Sequence, residues 1–151
     1  MMRDLIERRY RATVTQDVVF HGMVSREELA GAFRSANVAV FPSKVESFAL
    51  TPVEAMAWGC PTIFTRAASG PEVIDHDENG LLVNPHSAVD IANAINRVLD
   101  DEEFAMRLGK AGRRKVQDHF SLPVLIPQNE AFFAAAVERF KRQQARLESP
   151  Q

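Results

Sequence analysis

A single cysteine, Cys60, rules out an internal disulfide and fits a reducing compartment. There is no run of about eighteen apolar residues, so no membrane-spanning helix is expected. The first ten residues, MMRDLIERRY, are charged where a signal peptide needs an apolar core. The net charge is only −2, which gives no global pull toward nucleic acid or an anionic membrane. Internal repeats, low-complexity tracts and a second domain are also missing. These absences point to the cytoplasm and leave function open.

What is present is the composition of one globular domain. The 151 residues are 46% apolar and 25% charged, enough to bury a real core. Met1 to Arg11 can form a short helix. VVFHG, residues 18–22, reads as a short β-strand ended by glycine. Ser25 and Glu28 have capping-box spacing, and Leu29, Ala32, Phe33 and Ala36 follow at helical intervals. That predicts a helix from Arg26 to Ala36. VAVF, residues 38–41, is the next strand, stopped by Pro42. Leu50 to Trp58 reads as a helix ended by Gly59. PTIFT, residues 61–65, and LLV, residues 81–83, are two more strands. Pro71 suits the first turn of a short helix between them.

Three helical stripes remain. Ile91, Ala92, Ile95, Val98 and Leu99 form the first, and Phe104, Leu108 and Ala111 the second. Phe132, Phe133, Ala136, Val137 and Phe140 form the third, after Pro127. This last stripe reads as core or inter-domain packing, and the end from Lys141 is expected to fray. Short apolar strands separated by helices indicate an α/β fold, a Rossmann-like parallel sheet with helices on both faces. Residues 1–120 are expected to form the sheet domain. Residues 121–151 are expected to form a C-terminal helix packing on it or on a missing partner.

In such sheets, ligands bind beyond the carboxyl ends of the strands. The loop PSKVESFAL after VAVF sits there and runs into a helix. Backbone N–H groups at a helix start lack partners and favour phosphate. Phe48, Ala49 and Leu50 are placed to offer theirs to a diphosphate. Glu54, about one turn into the helix, can accept from both hydroxyls of a ribose diol. Glu46, on the loop, can accept from hydroxyls of a sugar beyond the phosphates.

The two glutamates of ESFALTPVE, with seven residues between them, resemble the E-x7-E signature of retaining GT-B glycosyltransferases of the family-4 type. VVFHGMVSREELAGAFRSANVAVFPS, EAMAWGCPTIFT, SGPEVI and NGLLVNP resemble the same family around that signature. The likeness runs from about Val18 to Ala111. It implies that Glu46 meets the donor sugar at the reacting centre and that Glu54 holds the ribose. It also implies that the Phe48–Leu50 amides hold the diphosphate and that Gly22, Met23 and Val24 line the base pocket. Such enzymes use a nucleotide-diphosphate sugar as donor substrate. They typically need no metal or other cofactor, because protein positive charge and helix dipoles stabilise the leaving diphosphate. The SGPE segment leans toward UDP-hexose donors.

Two local features depart from the family. Ala49 stands where glycine is usual, which restricts φ and adds a methyl group. FSL, residues 120–122, replaces an aromatic FSW-like segment. Complete members also have a first, acceptor-binding domain. Their second domain has strand order 3-2-1-4-5-6, which would make VVFHG strand three and VAVF strand four. The chain is therefore expected to be a fragment, to pair with another polypeptide, or to close its sheet differently, for example by swapping between copies. The fragment reading is favoured, and activity of the chain alone is not expected.

Plainer readings apply elsewhere. Ser69 and Gly70 either border the sugar pocket or form a simple turn. Glu72 either serves the site or faces a helix dipole. Asp75-His76-Asp77 has the spacing of a metal–diphosphate motif from a different glycosyltransferase fold, but reads as a solvated turn. His21 reads as structural and Lys44 as solvent-facing. Cys60 reads as a small buried hydrophobe. Arg113-Arg114-Lys115 could touch an anionic membrane but reads better as a solvated helix face. Two other functions stay open: a non-catalytic nucleotide-sugar-binding or regulatory module, and another GT-B enzyme such as a nucleotide-sugar epimerase.

Overall fold

The structure is a computed structural model that describes residues 17–48 and 50–148, with side chains to 144. The expected helix Met1–Arg11 lies outside the described residues. The elements are α1 (Arg26–Ser35), β1 (Ala39–Phe41), α2 (Leu50–Ala57), β2 (Thr62–Thr65), α3 (Gly70–Val73) and β3 (Leu81–Val83). They are followed by α4 (Ala88–Asp100), α5 (Glu102–Lys115), a π-helical turn (Val116–Phe120) and α6 (Leu122–Glu148). The strands form one parallel sheet of order β1-β2-β3. Ala39 lies opposite Thr62, and Phe64 opposite Leu82.

Local sequence explains most of these elements. Ser25 accepts from the Glu28 N–H, and the Glu28 carboxylate accepts from the Ser25 N–H at 2.7 Å, so α1 starts at a full capping box. The Ser25 N–H, with the Ser25 hydroxyl second, holds the Glu28 carboxyl below its ordinary pKa. Gly59, at φ +79, ends α2, as its position after Trp58 predicts.

Alternating side chains leave the sheet by opposite faces. Ile63, Leu81 and Val83 meet Val98 of α4 and Phe104 and Leu108 of α5. On the other face, Phe64 and Leu82 meet Met56 of α2, Val73 of α3 and Val116 of the π turn. The expected two-sided burial is therefore present. Fully buried side chains such as Phe64, Ile63, Met56 and Leu108 each contribute about 1.5–3 kcal/mol of hydrophobic stabilisation. Helix α5 serves both faces because it crosses beneath the sheet, at the N-terminal ends of its strands. Gly109 abuts the Gly59 carbonyl, and Gly112 abuts the Asn79 carbonyl. That end is closed, and the carboxyl ends of the strands remain for a site.

Two expectations fail. VVFHG forms no strand; Val18 and Val19 are exposed and the segment lies outside the sheet. A parallel strand exists only beside a partner, and two further strands would have to stand between this segment and β1. The last helix starts at Leu122, within the span 121–151 expected for it, and Pro127 lies inside it. Ser121 provides its first turn by accepting from the N–H groups of Val124 and Leu125. The helix is described as far as Glu148. The third stripe is not core among the described residues: Phe132, Phe133, Val137 and Phe140 are all at least half exposed. The stretch Glu102–Gln144 holds one eighteen-residue window of mean hydropathy 1.2, long and apolar enough for a membrane span by those two criteria alone.

Cys60 is buried against Phe33 of α1, Ala39 of β1 and Ala55 of α2, and burial pushes its thiol up to about 11. The thiolate is the reactive form. In the folded chain Cys60 should therefore resist a disulfide reagent at pH 8 and react fully after denaturation. The raised value also sets a pH slope. Stability from the protonated thiol is present below the unfolded value of 9.0 and is lost as pH rises toward about 11. Urea titrations across that window should show a falling midpoint in the native chain and a smaller fall in Cys60→Ala.

Candidate functional site

The carboxyl end of β1 opens into the loop 42–48, and the loop runs into α2. Glu46 is half-buried in this loop, and Glu54 is exposed in the second turn of α2. One short loop–helix unit therefore carries both carboxylates at the end of the sheet where ligands bind. Phe48 is 44% exposed, and its ring lies 6.1 Å from that of Phe120. That contact ties the loop to the π turn. Ala49 lies outside the described residues. Leu50 and Thr51 begin α2 and have no preceding turn to receive their N–H groups. Pro52 has none to offer and is buried beneath them. The helix start thus presents two adjacent donors and a partial positive charge.

The neighbouring strand end adds a second wall. Ser69 is buried, and its Oγ meets no hydrogen-bond partner among the described residues. Gly70 is buried so tightly that an added Cβ would lie 1.8 Å from the Thr65 carbonyl oxygen. Ala68 reaches this packing through a left-handed backbone, φ +52. Gly22 also adopts a positive φ, +70, with open space around it, and Met23 is fully exposed. Val24 is less exposed, and these residues lead into α1.

Residues outside the loop resolve as follows. Asp75-His76-Asp77 is a structured turn: Lys115 bonds Asp75 at 2.7 Å, His76 accepts from the Leu82 N–H, and Arg97 pairs with Asp77. Lys115 holds the Asp75 carboxyl below its ordinary pKa, and burial opposes it only in part. Among the described residues no cluster of three His, Cys, Asp or Glu side chains could hold a metal. A cleft of about 420 Å³ between this turn and α5 includes Arg107, Lys110 and Arg114, but it lies at the closed end of the sheet. Phe120 and Arg66 are site-end residues that the sequence does not flag. Both act across long sequence separations, which local periodicity does not register.

Residues 3–115 match the family described as glycosyl transferases group 1. The MMP alpha-(1->4)-mannosyltransferase of Mycolicibacterium hassiacum is 39% identical over 117 residues, covering 77% of this chain and 28% of that protein. The D-inositol 3-phosphate glycosyltransferase of Pseudarthrobacter chlorophenolicus is 40% identical over 95 residues, 63% of this chain and 23% of that protein. Among solved structures, sucrose-phosphate synthase from Thermosynechococcus elongatus superposes with a TM-score of 0.83 at 35% identity, over 91% of this chain and 34% of that one. Anabaena HepE in complex with UDP-glucose shares the fold, with a TM-score of 0.80 at 21% identity, over 89% of this chain and 36% of that one. The chain thus spans about a quarter to a third of the length of the proteins it matches. Its parallel sheet with both faces covered is the fold of GT-B glycosyltransferase C-terminal domains. On these grounds the chain belongs to the group 1 glycosyl transferases.

Proposed function

We propose that this chain is the donor-binding half of a retaining, family-4 type glycosyltransferase that moves a hexosyl group from a nucleotide-diphosphate sugar to an acceptor. The observation that carries this reading is the placement of Glu46 and Glu54 on one loop–helix unit at the carboxyl end of β1. Relatives named as a mannosyltransferase and an inositol 3-phosphate glycosyltransferase support it. A fold neighbour holding UDP-glucose favours a UDP-sugar.

In this reading Glu54 accepts from the ribose diol. The Phe48–Leu50 amides, with the Thr51 N–H beside them and the helix dipole, meet the diphosphate and stabilise it as it leaves. Glu46 orients the sugar hydroxyls. Gly22 to Val24 face the base, and Ser69 and Gly70 shape the wall on the sugar side. No metal or further cofactor is needed. The exposed stripe of α6 packs against the polypeptide that brings the acceptor, and catalysis requires that polypeptide. The outer edge of β1, which no strand pairs among the described residues, also supports a need for it. A chain that binds nucleotide sugar without turning it over is the second reading, and the same edge favours it when no such polypeptide is present.

Thermal unfolding with and without millimolar UDP or GDP tests the site. A ligand held only by the folded state stabilises it by about 2.7 kcal/mol at a hundred times its Kd. A rise in midpoint with UDP larger than with GDP is expected. A cooperative transition that neither nucleotide moves would remove the proposal for this chain.

A further inference from the structure

In a parallel ladder, alternate residues turn their backbone groups to a given neighbour. Val83 turns its carbonyl to β2, where it accepts from the Arg66 N–H at 2.8 Å. Leu82 therefore turns its own N–H and C=O outward, at the free edge of β3. An exposed edge of this kind normally recruits another strand. Here both groups are occupied by side chains. The Leu82 N–H donates to His76 Nδ1 at 2.9 Å, and Arg66 Nη2 donates to the Leu82 carbonyl at 2.9 Å.

The imidazole is itself held in place. With Nδ1 accepting, its proton sits on Nε2, which faces Asp77 Oδ2 at 3.6 Å. Asp77 is in turn paired with Arg97 of α4 and held at φ +67. A parallel bridge between His76 and Gly80 lays this segment along the start of β3.

We propose that Arg66 and His76 form a side-chain lock that keeps the β3 edge from pairing with a second copy of this chain. A second copy fits because the uncovered edge is self-complementary. Leu82 of each copy could exchange both N–H···O bonds with Leu82 of the other around a two-fold axis. The strand is short and apolar, so no charge of its own would oppose the pairing.

Arg66→Met with His76→Phe keeps bulk and removes the donor and the acceptor. In dilute solution the Leu82 amide of this variant should exchange about tenfold faster, the scale of one net hydrogen bond. At high concentration its mass by light scattering should rise toward twice that of the wild-type chain. Arg66→Lys with His76→Gln restores a donor and an acceptor, and should restore both readings. A folded Met/Phe variant with wild-type exchange and mass overturns the lock, as does failure of the Lys/Gln pair to restore them. If the double variant is unfolded by circular dichroism, His76→Phe alone decides. It exposes only the Leu82 N–H, and wild-type exchange there overturns the proposal.

Discussion

Glu54→Ala removes most of the rise in unfolding midpoint that a nucleoside diphosphate produces, and leaves the free chain nearly as stable as before. The second half of this expectation follows from exposure. Glu54 is on the solvent side of α2 and makes no ion pair among the described residues, and such substitutions usually stay within about 0.5 kcal/mol. The first half follows from the proposed contact. A hydrogen bond to a charged group is worth about 1.5–3 kcal/mol, and a diol offers two donors to one carboxylate. Losing both raises Kd about a hundredfold or more. At a ligand concentration once a hundred times Kd, the stabilisation then falls from about 2.7 to about 0.4 kcal/mol. Glu46→Gln provides the contrast. Glu46 is assigned to the sugar, so this variant keeps the response to UDP and weakens the added response to a UDP-sugar. Calorimetric titration checks both, and an unchanged UDP affinity in Glu54→Ala would sink the ribose assignment.

Gly109→Ala costs about 3 kcal/mol or more, at the upper end of what overpacking does. Gly109 is helical, so alanine would be favoured there by up to about 1 kcal/mol on propensity alone. Packing reverses the sign. A Cβ at Gly109 lies 2.2 Å from the Gly59 carbonyl oxygen, a backbone atom in the turn that ends α2. That turn cannot yield without moving the start of β2, so α5 must lift away from the sheet. Gly31→Ala is the internal control. Gly31 is also helical, but nothing lies within 4 Å of its Cβ position. There the same substitution should stabilise by about 0.5–1 kcal/mol. Urea midpoints for the two variants should move in opposite directions, and a neutral Gly109→Ala would mean α5 is not tightly seated.

Much of the fold is legible in local sequence. β1, β2 and β3 lie within the predicted strands. The α1 capping box and the Gly59 stop of α2 are read from residues adjacent in the chain. Ile91, Ile95 and Val98 of the first stripe pack as its spacing predicts, whereas its Ala92 and Leu99 are exposed. VVFHG fails because strand propensity does not create a partner strand. The helix expected over 121–151 begins at Leu122, and its anchor at Ser121 tolerates the one N–H missing at Pro127. The two glutamates and the loop that carries them are visible as a motif. The Phe48–Phe120 contact is not, since seventy-two positions separate the partners and only the folded chain brings them to 6.1 Å. His76 gives the same lesson. Its neighbours read as a solvated turn, yet it bonds a strand backbone.

The two margins of the sheet are unlike. Side chains occupy the outward backbone groups at β3, whereas no strand pairs with the outer margin of β1 and no side chain bonds Val40 among the described residues. Among the described residues the sheet therefore has a polarity of growth: material can be added beside Val38 and Val40 but not at β3. A split form of such an enzyme, with this chain supplied separately, should reassemble in one orientation without a guiding tag. The complementing piece would need to lead with an apolar strand parallel to β1, and its sequence could be designed from that margin alone.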